Sequence, residues 1–129
     1  MAIVFEPLAV FVHADGDNEN FNILNGSNST RYAFRILNEN QFYVSRPMMG
    51  IIEPDSKFTV AVSRLNGPPG IYDMPIEFAI LGEDVTEHSN FFGVTQDQRI
   101  NMTLPLVANG SEYVAAGEAV KTRKCNNMV

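Results

Sequence analysis

Two histidines, one cysteine and 15 Asp and Glu residues are the raw material from which a metal site or catalytic centre would have to be built. His13 and His88 lie far apart, and neither has a second His or a Cys nearby. Zinc needs three or four convergent ligands. The run Asp15-x-Asp17-x-Glu19 resembles the opening of a calcium loop. The EF-hand then requires Gly at its sixth position and a bidentate Glu at its twelfth. Asn20 and Gly26 occupy those positions, so the run reads as a polar hairpin turn. Cys125 has no His partner and lies in what reads as a C-terminal tail, so it is not expected to be a nucleophile. No G-x-S-x-G elbow and no GK[ST] phosphate loop occurs, and Gly67-Pro68-Pro69-Gly70 reads as a rigid turn. The pair Glu83-Asp84 reads as solvated loop surface. The residues therefore predict no catalytic group, no metal and no cofactor: the chain is expected not to be an enzyme.

The elements that carry these residues are bounded by composition. The chain has 129 residues and a mass of 14.3 kDa, which predicts one domain with a real core. Net charge is -6, with only 9 Lys and Arg. A surplus of cations is what binds phosphate backbones and anionic lipid, so neither nucleic acid nor a membrane surface is an expected partner. A lone cysteine cannot form an internal disulfide, which favours a reducing, cytoplasmic compartment. The opening MAIVFEPLAVFV is short, lacks a basic lead and is broken by Glu6 and Pro7, so it reads as a strand and not as a signal peptide. The sequons at Asn25, Asn28, Asn101 and Asn109 are read as products of an Asn- and Ser-rich composition.

Short apolar stretches rich in Val, Ile, Phe and Tyr alternate with Gly, Pro, Asn and Asp clusters. They predict strands at Val4–Pro7, Ala9–His13, Asn20–Leu24, Arg31–Leu37, Phe42–Ser45, Gly50–Ile52, Phe58–Ser63, Asp73–Leu81 and Arg99–Leu106, with a turn at Asp15–Asn18. Two alternations are clean. Tyr32, Phe34 and Ile36 share one face, and Phe58, Val60 and Val62 share another. A short helical turn is expected at Asp84–Asn90. Many short strands with frequent turns predict an all-β antiparallel sandwich. Residues 108–129 are small and polar, and read as a C-terminal tail carrying the chain's one basic cluster, Lys121, Arg123 and Lys124. The pairs Met48-Met49 and Phe91-Phe92 are candidate exposed apolar contacts.

Leu24 to Ser63 carries a more specific pattern. It combines Asn25, Phe34-Arg35, Tyr43, Arg46-Pro47, Gly50-Ile51-Ile52, Pro54, Ser56 and Val60-Ala61-Val62-Ser63. This set resembles the major sperm protein (MSP) domain, a family that includes the VAMP-associated proteins. The resemblance spans about Phe5–Val107. It implies a seven-stranded immunoglobulin-like antiparallel β-sandwich over residues 1–107, followed by the tail at 108–129.

Two functional classes follow from the resemblance. The sperm members of the family assemble filaments, without actin or bound nucleotide, to drive amoeboid crawling. This class implies a non-catalytic structural protein of the nematode sperm cytoskeleton, cytoplasmic and in the pseudopod. It would self-associate or bind MSP or other MSP-domain proteins and modulate filament assembly. Its contacts are expected from the edge strand Gly50–Ile52 and the flanking loop Ser45–Met49, with Met48 and Met49 as adaptable apolar groups. Lys121, Arg123 and Lys124 would pair with an acidic partner surface. The alternative is a VAMP-associated-protein-like adaptor that binds short acidic peptides, with Arg35 and Arg46 as anion contacts. The family's F-K-V-K-T-T strand reads Phe34-Arg35-Ile36-Leu37-Asn38-Glu39 here, and its K-F-M reads Ile76-Glu77-Phe78. The lost lysines and the net charge of -6 weigh against that class. A secreted, glycosylated domain is the third reading.

Overall fold

The computed structural model describes residues 2–82 and 99–110. Among them are nine strands: β1 (Ile3–Glu6), β2 (Val10–His13), β3 (Asp17–Asn25), β4 (Arg31–Ile36), β5 (Tyr43–Arg46), β6 (Met49–Ile52), β7 (Ser56–Arg64), β8 (Gly70–Leu81) and β9 (Ile100–Asn109). They form a four-stranded sheet in the order β1-β3-β7-β5 and a five-stranded sheet in the order β2-β9-β8-β4-β6. The expected all-β, immunoglobulin-like sandwich is the observed architecture. All pairings are antiparallel except β2 with β9, which is parallel.

The alternating strands behave as their period requires. Tyr32, Phe34 and Ile36 point into the core, as do Val60 and Val62. Phe21, Phe34 and Phe78 are its largest fully buried side chains, with Ile23, Ile76, Met74, Leu104 and Leu106 between them. Phe5 meets Phe21 edge-on at 6.1 Å, and Phe34 meets Phe58 edge-on at 4.9 Å. Pro75 sits inside β8, a position that usually excludes proline. Its carbonyl accepts from the Leu37 N–H at 2.9 Å, so the face without an N–H points just past the last β4 pair, Ile36 with Ile76.

Strand count and boundaries differ from the sequence reading in instructive ways. β1 and β2 belong to different sheets, and so do β5 and β6. Each pair is one strand that changes sheet at a proline, and both crossings contain a cis bond, Glu6-Pro7 and Arg46-Pro47. Counted as two interrupted strands, they reduce nine segments to the seven that the resemblance implies. The connection from β2 to β3, which passes from one sheet to the other, turns at Ala14-Asp15-Gly16, so β3 already begins at Asp17. Asp17 caps that turn by accepting the N–H of His13 at 3.0 Å and of Asn18 at 2.8 Å. β8 starts three residues earlier than expected. β9 runs on through Ala108 and Asn109, which pair with Val12 and His13 although they were assigned to the tail. The helical turn at Asp84–Asn90, the pair Phe91-Phe92, His88, Cys125 and the cations Lys121, Arg123 and Lys124 lie outside the described residues.

Candidate functional site

One continuous segment, Tyr43–Ile52, forms the open edge of both sheets on one flank of the sandwich. Among the described residues, its β5 half pairs only with β7, and its β6 half only with β4. The predicted edge strand Gly50–Ile52 is thus an edge. Unpaired edges present backbone N–H and C=O groups that can extend a sheet into another chain. At the crossing, Arg46, Pro47 and Met48 are exposed in a row, and Met48 is 45% accessible. Met49 is half-buried. Of the predicted pair, Met48 is the accessible one.

The sequence motif explains why this edge has a fixed position. The Met48 carbonyl accepts the Ile36 N–H at 2.7 Å and pins the crossing to the end of β4. Gly50 lies so close to the core that a Cβ there would stand 2.7 Å from Phe34 and 2.8 Å from Phe58. Only glycine lets the β6 backbone approach those rings. At the far end of β6, the buried Asn25 amide donates to the carbonyls of Thr30 at 2.8 Å, Ile52 at 3.2 Å and Glu53 at 3.1 Å. Its Oδ1 accepts the Ser27 N–H at 3.0 Å. Asn25 is therefore a clamp between the β3–β4 turn and β6. A glycan on that nitrogen would break the clamp, which weighs against the secreted, glycosylated reading.

The predicted cations differ in availability. Arg35 faces outward from β4, but its Nε donates to Glu77 Oε1 at 3.0 Å. Arg99 Nη1 lies 3.7 Å from the same oxygen. Glu77 is buried between the two guanidinium groups, and the Arg35 side chain is only 17% accessible. Arg35 thus belongs to an internal ion cluster with Glu77 and Arg99 and is not a free anion contact. Arg46 is exposed and forms no ion pair among the described residues. Arg35 and Met49 are cross-strand neighbours, whereas Arg46 belongs to the other sheet.

A second feature was not singled out in the sequence. Arg64 ends β7 on the core-facing side, in line with Val60 and Val62, and is 5% accessible. Its Nε donates to the Ala14 carbonyl at 3.2 Å and its Nη2 to the Pro68 carbonyl at 2.7 Å. Its guanidinium lies 5.0 Å from the Tyr43 ring centre and 5.4 Å from that of Phe42. These groups line an open cleft of about 200 Å³, completed by Pro68, Pro69, Ile71 and Tyr72. Tyr72 stacks on Tyr43 with centroids 5.8 Å apart and accepts the Glu39 N–H at 3.1 Å. The Tyr43 hydroxyl is buried with no hydrogen-bond partner of ordinary geometry. Burial pushes its phenol above the usual 10, and the Arg64 charge offsets part of that rise.

Among the described residues no cluster of three His, Cys, Asp or Glu side chains gathers as a metal site, and no helix is long and apolar enough to cross a membrane. His13 is buried at the end of β2, and its Nε2 has no hydrogen-bond partner.

Among the described residues the fold is an immunoglobulin-like sandwich with an open edge at Tyr43–Ile52 and a cleft beside Arg64. No protein-family profile and no curated protein matches the chain. Solved structures do. WR4, an MSP family member of Caenorhabditis elegans, superposes with a TM-score of 0.73 at 27% identity, over 84% of this chain and 98% of that one. SSP-19, an MSP-domain protein like family member of the same organism, gives 0.74 at 25% identity, over 82% and 98%. The periplasmic chaperone SfaE shares the fold alone, with a TM-score of 0.61 at 11% identity, over 84% of this chain and 57% of that one. The chain has the MSP-domain fold, as the motif between Leu24 and Ser63 implied.

Proposed function

We propose that this chain is a non-catalytic interaction protein that self-associates or binds MSP filaments and modulates their assembly, in the cytoplasm of nematode sperm. The observation that carries this reading is the Tyr43–Ile52 flank, where one segment exposes the edges of both sheets beside an accessible methionine. Similarity to two C. elegans MSP-type structures supports the same direction. The adaptor alternative is weakened because Arg35 is held by Glu77.

Sedimentation velocity across concentration, first alone and then with a nematode MSP, tests the proposal. Self-association or co-sedimentation that is lost in a Met48→Glu/Met49→Glu double variant supports it. A strict monomer that leaves filament growth unchanged refutes it. Titration with an acidic diphenylalanine peptide separates the alternative: saturable binding lost on Arg46→Glu would move the function there.

A further inference from the structure

We propose that the Arg64 cleft binds a carboxylate carried on an apolar group, such as an aromatic acid or the last residue of a peptide. A guanidinium has five N–H donors, and taking it out of water is costly unless an anion and hydrogen bonds replace the solvent. Arg64 is 5% accessible, yet what surrounds its guanidinium is two backbone carbonyls, two ring faces and the neighbouring Tyr43 phenol, none of them an anion. Among the described residues it has no ion pair. Its cross-strand neighbour Asp17 directs its carboxylate oxygens to the N–H groups of His13 and Asn18 instead.

The Tyr43 hydroxyl stands beside it, within reach of its charge. That hydroxyl is a buried donor without an acceptor, on a residue that lines the same cleft. Buried polar groups are ordinarily satisfied, and a guanidinium without an anion next to a hydroxyl proton without an acceptor defines what is missing beside this cleft: an acceptor with negative charge. The walls specify the rest. Phe42, Tyr72, Pro69 and Ile71 offer ring faces and aliphatic surface, with Ile71 71% accessible at the rim. A volume near 200 Å³ is below the usual range for drug-sized ligands and suits one ring or aliphatic side chain with its carboxylate. A carboxylate fits the paired donors in a forked geometry, and its apolar carrier fits the walls. The cleft shares Tyr43 with one end of the Tyr43–Ile52 segment, while the proposed filament contact centres on Met48 at the crossing, so this inference does not rest on the filament role.

Heteronuclear NMR titration of the full chain tests it, with the amides of Tyr43, Arg64 and Ile71 as reporters. The probes are acetyl-phenylalanine, its carboxamide, phenylacetate and acetyl-Gly-Gly-Phe. The acids are expected to shift the cleft amides saturably, and the carboxamide to bind at least about tenfold more weakly, the factor one charge-assisted hydrogen bond supplies. Stronger binding of the tripeptide than of phenylacetate marks a chain terminus as the source; equal binding marks a small acid. Arg64→Gln should erase the preference for acid over amide. Because Arg64 also holds Ala14 and Pro68, the exposed Ile71 supplies a second pair of variants that leaves the core alone. Ile71→Glu should weaken the acids about tenfold and Ile71→Lys should not. Equal shifts by acid and carboxamide, no shift by either, or indifference to the charge at position 71 overturns the proposal.

Discussion

Asn25 is where a motif residue can be weighed against the geometry it maintains. Its side chain is 2% accessible and carries four hydrogen bonds, three donated across to Thr30, Ile52 and Glu53 and one accepted from Ser27. Asn25→Ala removes them all and leaves carbonyls in partly buried positions. At about 1 kcal/mol net per lost bond, and allowing that two N–H groups share three acceptors, the cost is about 2–4 kcal/mol. For a domain of this size that lowers the melting temperature by about 10 °C. Asn25→Asp makes a sharper test. It keeps the acceptor for Ser27 but turns a carboxylate toward three carbonyl dipoles, so it should cost at least as much as alanine. Equilibrium denaturation gives the magnitude. Hydrogen exchange gives the location: amides of β6 should lose protection before those of β3 and β7. A loss below about 1 kcal/mol, an aspartate milder than alanine, or β6 exchange that follows the rest of the sandwich would refute the clamp.

Gly50→Ala places a methyl group within contact of Phe34 and Phe58 and should cost about 1–3 kcal/mol by overpacking, read as a lower denaturation midpoint with an unchanged slope. Glu77→Gln leaves the guanidinium groups of Arg35 and Arg99 without their shared carboxylate, and about 3 kcal/mol of stability should be lost, measurable by the same denaturation. Tyr43→Phe removes a buried hydroxyl with no partner and should leave stability at neutral pH unchanged or higher by up to about 1 kcal/mol. Its folded phenol titrates above the unfolded value of 10. Below pH 10 both states are protonated, so the native protein loses stability only as pH rises from 10 toward the raised folded value. Stability scans over that window should show a shallower alkaline decline in the variant than in the native chain.

The sheet face of most strands was legible because burial enforces a period of two. Tyr32, Phe34 and Ile36 could not all face the core in any other register. Sheet membership was less legible. Nothing local distinguishes a strand that ends at a proline from one that crosses at it, and the crossings at Pro7 and Pro47 appear only when both sheets are assembled. The extension of β9 to Asn109 rests on parallel pairing with β2, a contact between chain ends that no short window contains. Arg35 illustrates the limit for sites. The sequence showed a cation on an outward face. Glu77, opposite it in the register, decides that the cation is spent. Arg64 is the reverse case. The run Val60, Val62, Arg64 places a charge where the period demands an apolar residue, and that violation was a readable signal of a site.

The Tyr43–Ile52 edge and the Arg64 cleft share a strand, so their independence has to be argued and not assumed. Tyr43 starts β5 opposite Arg64, and the same segment reaches Met48 after the crossing. The measure of separation is β8, which passes both. Tyr72 is the cleft residue on β8 nearest the crossing, while Ile76 pairs with Ile36, whose N–H holds Met48. Four residues of strand rise put about 13 Å between those levels. Sites farther apart than about 10 Å with no shared partners combine additively. Met48→Glu should therefore abolish association and leave acetyl-phenylalanine affinity within about twofold, while Ile71→Glu should do the opposite, and the double variant should show both losses without excess. Coupling beyond about tenfold would mean that β5 transmits a displacement between its two ends. The crossing at Pro47 would then be a joint between two binding surfaces and not only the place where the chain changes sheet.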